Sequence, residues 1–170
     1  MIIRAEIDAD HEAIMALTYA AFLNHPHHAP GAKPTEHLIY KGLKERGDLT
    51  LSFVATINDE VAGHIAFSPV TFDGKASDWL GLGPVSVNPD LQGKGVGSAL
   101  IKAGLEAALK RGTKGVVLIG EPDYYTRFGF SADHGLTYPG IPGEYLLALS
   151  LTPDECEQPA GEVGYSPAFV

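Results

Sequence analysis

The run VNPDLQGKGVGSALI, Val87 to Ile101, sets three glycines at alternate positions, Gly93, Gly95 and Gly97, between a β-branched segment and an apolar pattern at helical spacing. A strand that passes into a helix through so bare a backbone points to a mixed α/β unit. Glycines remove Cβ atoms, so successive N–H groups can point at an anion. The helix that follows adds unpaired amides and the positive end of its dipole, and a pyrophosphate fits there without a required cationic side chain. Other phosphate signatures fit less well. A Walker loop needs Lys followed by Ser or Thr, and Lys94 is followed by Gly95. A dinucleotide fingerprint needs G-x-G-x-x-G after the first strand, and the spacing here is G-x-G-x-G. Gln92, Gly95 and Gly97 satisfy Q-x-x-G-x-G. The competing interpretation is a glycine-rich turn into a packed helix.

The preceding segment, GLGPVSV, places Gly83-Pro84 inside an otherwise good strand. Proline donates no ladder hydrogen bond, so a central strand holds it only at a bulge or break. A bulge would splay this strand from the continuous apolar run GVVLIG beyond the helix, which reads as a strand buried on both faces. The gap would leave N–H and C=O groups of Val85 and Val87 for an extended, amide-bearing ligand to pair with, as an added strand does. Coenzyme A joins a pyrophosphate to such an arm.

Elsewhere the pattern gives a first strand in MIIRAEI and a helix capped by Asp8 or Asp10, with Ile14, Leu17 and Ala21 on its apolar face. A second helix opens at Thr35 and runs through Arg46. LSFVATI and VAGHIAFSPVTF are strands joined by the turn NDE, and ASDWLGLGPVSV follows the turn DGK. Leu100, Leu105, Ala108 and Leu109 form the apolar stripe of the helix after the glycines. A short helix sits in EPDYYTRFGF, a late strand in EYLLALSL, and AGEVGYSPAFV adds a strand at the end. The expected order is βααβββαβαβ(β), an α/β (α+β) fold in one domain over 1–170, and 170 residues suffice for one core. A net charge of −9 disfavours nucleic acid. No apolar run of membrane-spanning length occurs, the N-terminus lacks a signal-peptide pattern, and the single cysteine, Cys156, suits a cytoplasmic location.

VSVNPDLQGKGVGSAL resembles the acetyl-CoA-binding motif of the GNAT superfamily of N-acetyltransferases, and YYTRFGF resembles its later Tyr-x-x-x-Gly-Phe segment. The ending GEVGYSPAF is similar to a subgroup of predicted N-acetyltransferases. The resemblance implies a mixed central sheet with a splayed pair of strands flanked by helices. It implies that acetyl-CoA lies against Val85, Ser86 and Val87, with Val85 and Val87 holding the pantetheine arm. The backbone of Gln92, Gly93, Lys94, Gly95, Val96, Gly97 and Ser98 would hold the pyrophosphate, with Tyr125 near the thioester sulfur. One departure concerns the base: many members carry Asn and Ala seven and four residues before the tyrosine, where this chain has Leu118 and Glu121.

Acyl transfer to an amine needs a deprotonated amine, donors for the oxyanion, and an acid for the departing thiolate. Tyr125, neutral at pH 7, is the expected acid. Glu121 and Asp123 are the first base candidates, although Glu121 could simply favour a helix N-terminus. His64 is another candidate, against an ordinary packed histidine, and a water chain is a further route. Lys94 either adds charge near phosphate or is simply solvated. Trp79, Phe53 and Phe67 read as core aromatics. Cys156, in an acidic segment, is not an activated nucleophile, so direct transfer is expected. His25, His27 and His28 lack a second ligand cluster, and no metal is expected. The acceptor side is expected around Asn24–Pro34 and Tyr138–Gly143. The expected partner is a small-molecule or peptide amine, without nucleic acid or membrane, with homodimerisation left open. The rival functions are a non-catalytic acyl-CoA-binding module and a toxin-type enzyme acting on aminoacyl-tRNA.

Overall fold

The computed structural model describes residues 1–23, 31–152 and 159–169, so His25, His27, His28 and Cys156 lie outside the described residues. Its strands are β1 (Ile2–Ala5), β2 (Leu51–Ile57), β3 (Glu60–Phe72), β4 (Lys75–Val87), β5 (Gly115–Ile119), β6 (Gly135–Thr137), β7 (Leu146–Ser150) and β8 (Ala160–Gly164). Its helices are α1 (His11–Phe22), α2 (Glu36–Arg46), α3 (Val96–Lys110) and α4 (Pro122–Tyr125). The mixed sheet runs β1-β2-β3-β4-β5-β7, and β8 pairs with both β3 and β6. β2, β3 and β4 form an antiparallel meander with β1 antiparallel on its β2 edge, β5 joins β4 in parallel through α3, and β7 returns antiparallel to β5.

Alternation along the strands sorts side chains to two faces. Phe67, Leu80, Leu82, Val116 and Leu118 pack with Leu100 and Ile101 of α3. On the other face, Ile14 and Tyr40 cover Val54, while Val70, Trp79 and Val117 pack with Leu136 and Val163. Phe67 is fully buried, Trp79 is buried, and Phe53 packs partly buried against the core, as expected.

The fork inferred from Gly83-Pro84 is present. Parallel pairing of β4 with β5 joins Trp79, Leu80 and Gly81 to Gly115, Val116 and Val117, and the pairing extends no further along β4. On the β3 side the register also shifts between Ile65 and Phe67, opposite the same proline-bearing segment. Beyond Gly81 the two strands diverge, and the mouth of the cleft opens between them.

Three expectations are corrected. Leu109 is 51% exposed, because nine residues on from Leu100 is half a turn around a helix. Asp10 stands at the start of α1 without capping it, since its carboxylate instead accepts two hydrogen bonds from Arg4 and one from the Ile7 N–H. The strand β6 was not anticipated, because three residues are too few to show alternation.

Candidate active site

The hydrogen-bond phase of β4 decides which of its groups face the cleft. Asn88 N–H donates to Ala62 C=O at 2.8 Å, and the register pairs Val87 with Gly63, Ser86 with His64 and Val85 with Ile65. Bonded and non-bonded pairs alternate in an antiparallel ladder. Ser86 therefore turns its backbone groups to β3, and Val85 and Val87 turn theirs to the β5 side. The Val87 carbonyl accepts from Gln92 Nε2 at 3.3 Å, which ties the glycine loop to the strand. Ser86 faces away: its buried hydroxyl donates to Thr18 Oγ1 beneath α1.

Gly93 and Gly95 have φ of +78° and +85°, a region L side chains avoid, and a Cβ on either would meet no atom within 4 Å. The space where a side chain would stand is therefore open at both positions. Gly95 is the N-cap of α3, a 15-residue helix whose first amides have no partner from its own turns. Val96 is buried and anchors that end, Ser98 is half-buried, and Lys94 is exposed. At Gly97 a Cβ would come within 3.3 Å of Tyr124 Oη and 3.5 Å of a Val87 methyl, so α3 and α4 close together only over a glycine.

Both tyrosines of α4 line the cleft. The Tyr124 ring lies under the Arg127 guanidinium, 4.7 Å from the ring centre. The Tyr125 ring covers Gly120 and meets Phe130 edge-on at 6.0 Å. Burial first, then its tyrosine neighbour, push the Tyr125 phenol up to about 12, so it is protonated and able to donate at neutral pH. Glu121, exposed at the rim, shares the lining, and Asp123, also exposed, does not.

His64 lies elsewhere. It is fully buried among the residues beneath α2, with Tyr40 edge-on at 5.0 Å and Ser52 Oγ at 2.7 Å from Nε2. Ser52 donates to Glu6, so its oxygen accepts from the His64 Nε2–H, and Nδ1 has no partner among the described residues. Burial, opposed by the Glu6 and Asp10 charges, lowers its pKa to about 4. Glu6 shows the reverse balance: burial would raise it, but donors from Lys44, Ser52 and Tyr40 outweigh burial and hold it below its usual range. This buried network is separate from the cleft lining.

The cleft has a volume of about 790 Å³ and reaches both faces of the sheet. On the α3 side are the α4 tyrosines, with Tyr124 Oη abutting Gly97 of α3. Its remaining walls include Phe22 of α1, Ile39 of α2, the Tyr138–Pro142 loop, Tyr145, and Tyr165 and Phe169 of the C-terminal segment. Sequence reasoning marked the Tyr138 loop but not Tyr145, nor Tyr165 and Phe169 of the ending GEVGYSPAF. No group of three or more His, Cys, Asp or Glu side chains suited to a metal occurs among the described residues. None of their helices is long and apolar enough to cross a membrane.

A sheet opened at a proline beside the start of a helix makes a cleft suited to an extended, amide-bearing ligand with an anionic end. The family model for the acetyltransferase (GNAT) family matches residues 13–130. N-acetyltransferase YhbS of Escherichia coli K12, described as uncharacterized, is 34% identical over 152 residues, 86% of each chain. A GNAT family acetyltransferase from Brucella melitensis, solved in complex with acetyl-CoA, is 38% identical with a TM-score of 0.84, covering 99% of this chain and 97% of its own. The structure of Escherichia coli YhbS in complex with CoA superposes with a TM-score of 0.88 at 33% identity, covering 99% and 91%. The chain belongs to the GNAT family of acetyltransferases.

Proposed function

We propose that this chain, as one domain over 1–170, transfers an acetyl group from acetyl-CoA directly to a primary amine of a small molecule or peptide in the cytoplasm. The observation that carries the proposal is the fork between β4 and β5, whose cleft joins Val85 and the α4 tyrosines to an apolar chamber on the opposite face, with Tyr124 abutting Gly97 in the first turn of α3. The residues fit the donor: no atom crowds the side-chain position of Gly93 or Gly95, and Val85 and Val87 turn backbone polar groups toward the gap. Bound acetyl-CoA supplies an acetyl group activated as a thioester.

The chain's own groups divide the remaining work. Backbone amides from Gln92 to Ser98 bind the pyrophosphate, with the α3 dipole favouring its charge. Val85 and Val87 orient the amide-bearing arm as a neighbouring strand would. Glu121, at the rim, accepts the proton that the incoming ammonium must lose. Tyr125 holds its phenolic proton at neutral pH and donates it to the departing sulfur. Free-thiol release with a panel of primary amines, followed by mass analysis of the products, tests the proposal. Acetylated amine with no acetylated protein supports direct transfer. Acetyl-CoA binding without turnover of any amine would leave a binding module instead.

A further inference from the structure

We propose that the half of the cleft opposite α3 is a chamber for a primary amine on an aromatic body, and that Tyr165 selects a hydrogen-bonding group at the far end of that body. This inference rests on the acetyltransfer reading given above.

The walls set the body. Phe22, Ile39, Tyr138, Tyr145, Tyr165 and Phe169 line this part of the cleft. Tyr165 meets Tyr138 edge-on at 5.6 Å between ring centres and Phe169 at 5.0 Å, a run of rings suited to a flat apolar ligand. The charge sets the head group. Among the described residues the cleft lining has no Lys or Arg, and its two charged side chains are Glu36 and Glu121. An ammonium is welcome there, whereas a carboxylate or phosphate on the acceptor is not.

Tyr165 is firmly placed. It follows β8, whose pairing with β3 matches Gly164 to Thr71. Ser166 Oγ donates to Asp48 at 2.7 Å, and Phe169 N–H donates back to the Ser166 carbonyl at 2.9 Å. Its ring packs on Gly81, the last residue of β4 paired to β5, where a Cβ would collide with Cε1 at 2.6 Å. The hydroxyl is buried and has no partner among the described residues. Burial holds the phenol well above its ordinary pKa, so it stays a donor. A buried hydroxyl left unpaired is an exception that needs a reason, and an oxygen on the acceptor would supply its partner.

The test compares tyramine with phenethylamine, which differ only by the phenol, on the wild type and on Tyr165→Phe. The wild type should show a KM for tyramine about tenfold below that for phenethylamine, the size of one neutral hydrogen bond. Tyr165→Phe should abolish this difference by raising the tyramine KM to that of phenethylamine. Calorimetric titration of tyramine into the CoA-bound protein should lose the same factor. Tripeptides beginning with Tyr or Phe present the same pair of groups, so the set with the higher kcat/KM tells a chain terminus from a free amine. An absence of hydroxyl preference in the wild type overturns the role of Tyr165 without needing a variant. An unchanged preference in Tyr165→Phe, with a raised Tm, does the same and leaves the hydroxyl as a packing defect. Faster turnover of putrescine or γ-aminobutyrate than of either aryl amine overturns the chamber but not acetyl transfer. No thiol release with any amine overturns the acetyltransfer reading itself, and this inference with it.

Discussion

Acidification from pH 7 to pH 5 should cost the folded protein about 2 kcal/mol through His64 alone. Folding buries this ring completely, and the one bond it makes, to Ser52, engages the nitrogen that already carries the proton. A second proton would sit on Nδ1, which has no acceptor among the described residues. Glu6 lies 3.9 Å from Nε2 and favours the charged ring, but loss of solvation outweighs it and the pKa falls from 6.5 to about 4. The unfolded chain therefore binds more protons than the fold between these two values, and stability drops as pH falls through that window. It is fully retained above the unfolded value. The loss corresponds to a Tm decrease of roughly 4–8 °C for a chain of this size. Urea unfolding at pH 7 and pH 5, on the wild type and His64→Gln, measures it. Glutamine can still donate to Ser52 but takes up no proton, so its pH dependence should be shallower by about 2 kcal/mol. Equal pH dependence in the two proteins would mean that His64 is hydrated or partnered in solution, and the reasoning would fail.

Gly95→Asp should weaken acetyl-CoA binding by at least roughly tenfold in calorimetric titration, since it puts a carboxylate where the pyrophosphate is expected and strains a backbone at φ +85°. Equal affinity would move the phosphate site elsewhere. Tyr125→Phe should lower turnover by at least about tenfold with little change in acetyl-CoA affinity, given typical general-acid contributions of about 10²–10⁴-fold. Tyr124→Phe, whose hydroxyl abuts Gly97, should keep turnover, and the opposite pair of steady-state rates would exchange the two roles. Gly104→Ala should destabilise by about 1–2 kcal/mol in urea, because overpacking against the fully buried Phe67 ring exceeds the usual helix-propensity gain of about 1 kcal/mol. A stabilised variant would show that α3 can shift away from the sheet.

What was legible in the sequence was whatever local chemistry dictates. Gly83-Pro84 announced the fork because no neighbouring context can restore the N–H that proline lacks. The glycines announced an open helix start because their positive φ is a backbone property of those positions. What stayed hidden depends on contacts distant in the chain. The bond from the Ser86 hydroxyl to Thr18, 68 residues earlier, has no local sign in the sequence. His64 looked like a candidate base until Tyr40 and Ser52 placed it under α2. Tyr165 carried no periodic signal at all, because its place comes from β8 adding to the end of β3. The acceptor wall is assembled from four separated segments, and none of them encodes it alone.

The short parallel seam between β4 and β5 also bears on how this molecule holds together. Only three residue pairs join β5 and β7 to the meander along that seam, helped by the α3 crossover. On one side of the seam is a long ladder, and on the other a two-stranded antiparallel pair that would be marginal in isolation. A ligand lying in the fork as a surrogate strand would splice these two pieces into one cooperative unit, adding its binding free energy to a short joint in the sheet. The donor would then serve as a removable structural member as well as a reactant, and each release of CoA would return the β5–β7 pair to its looser attachment.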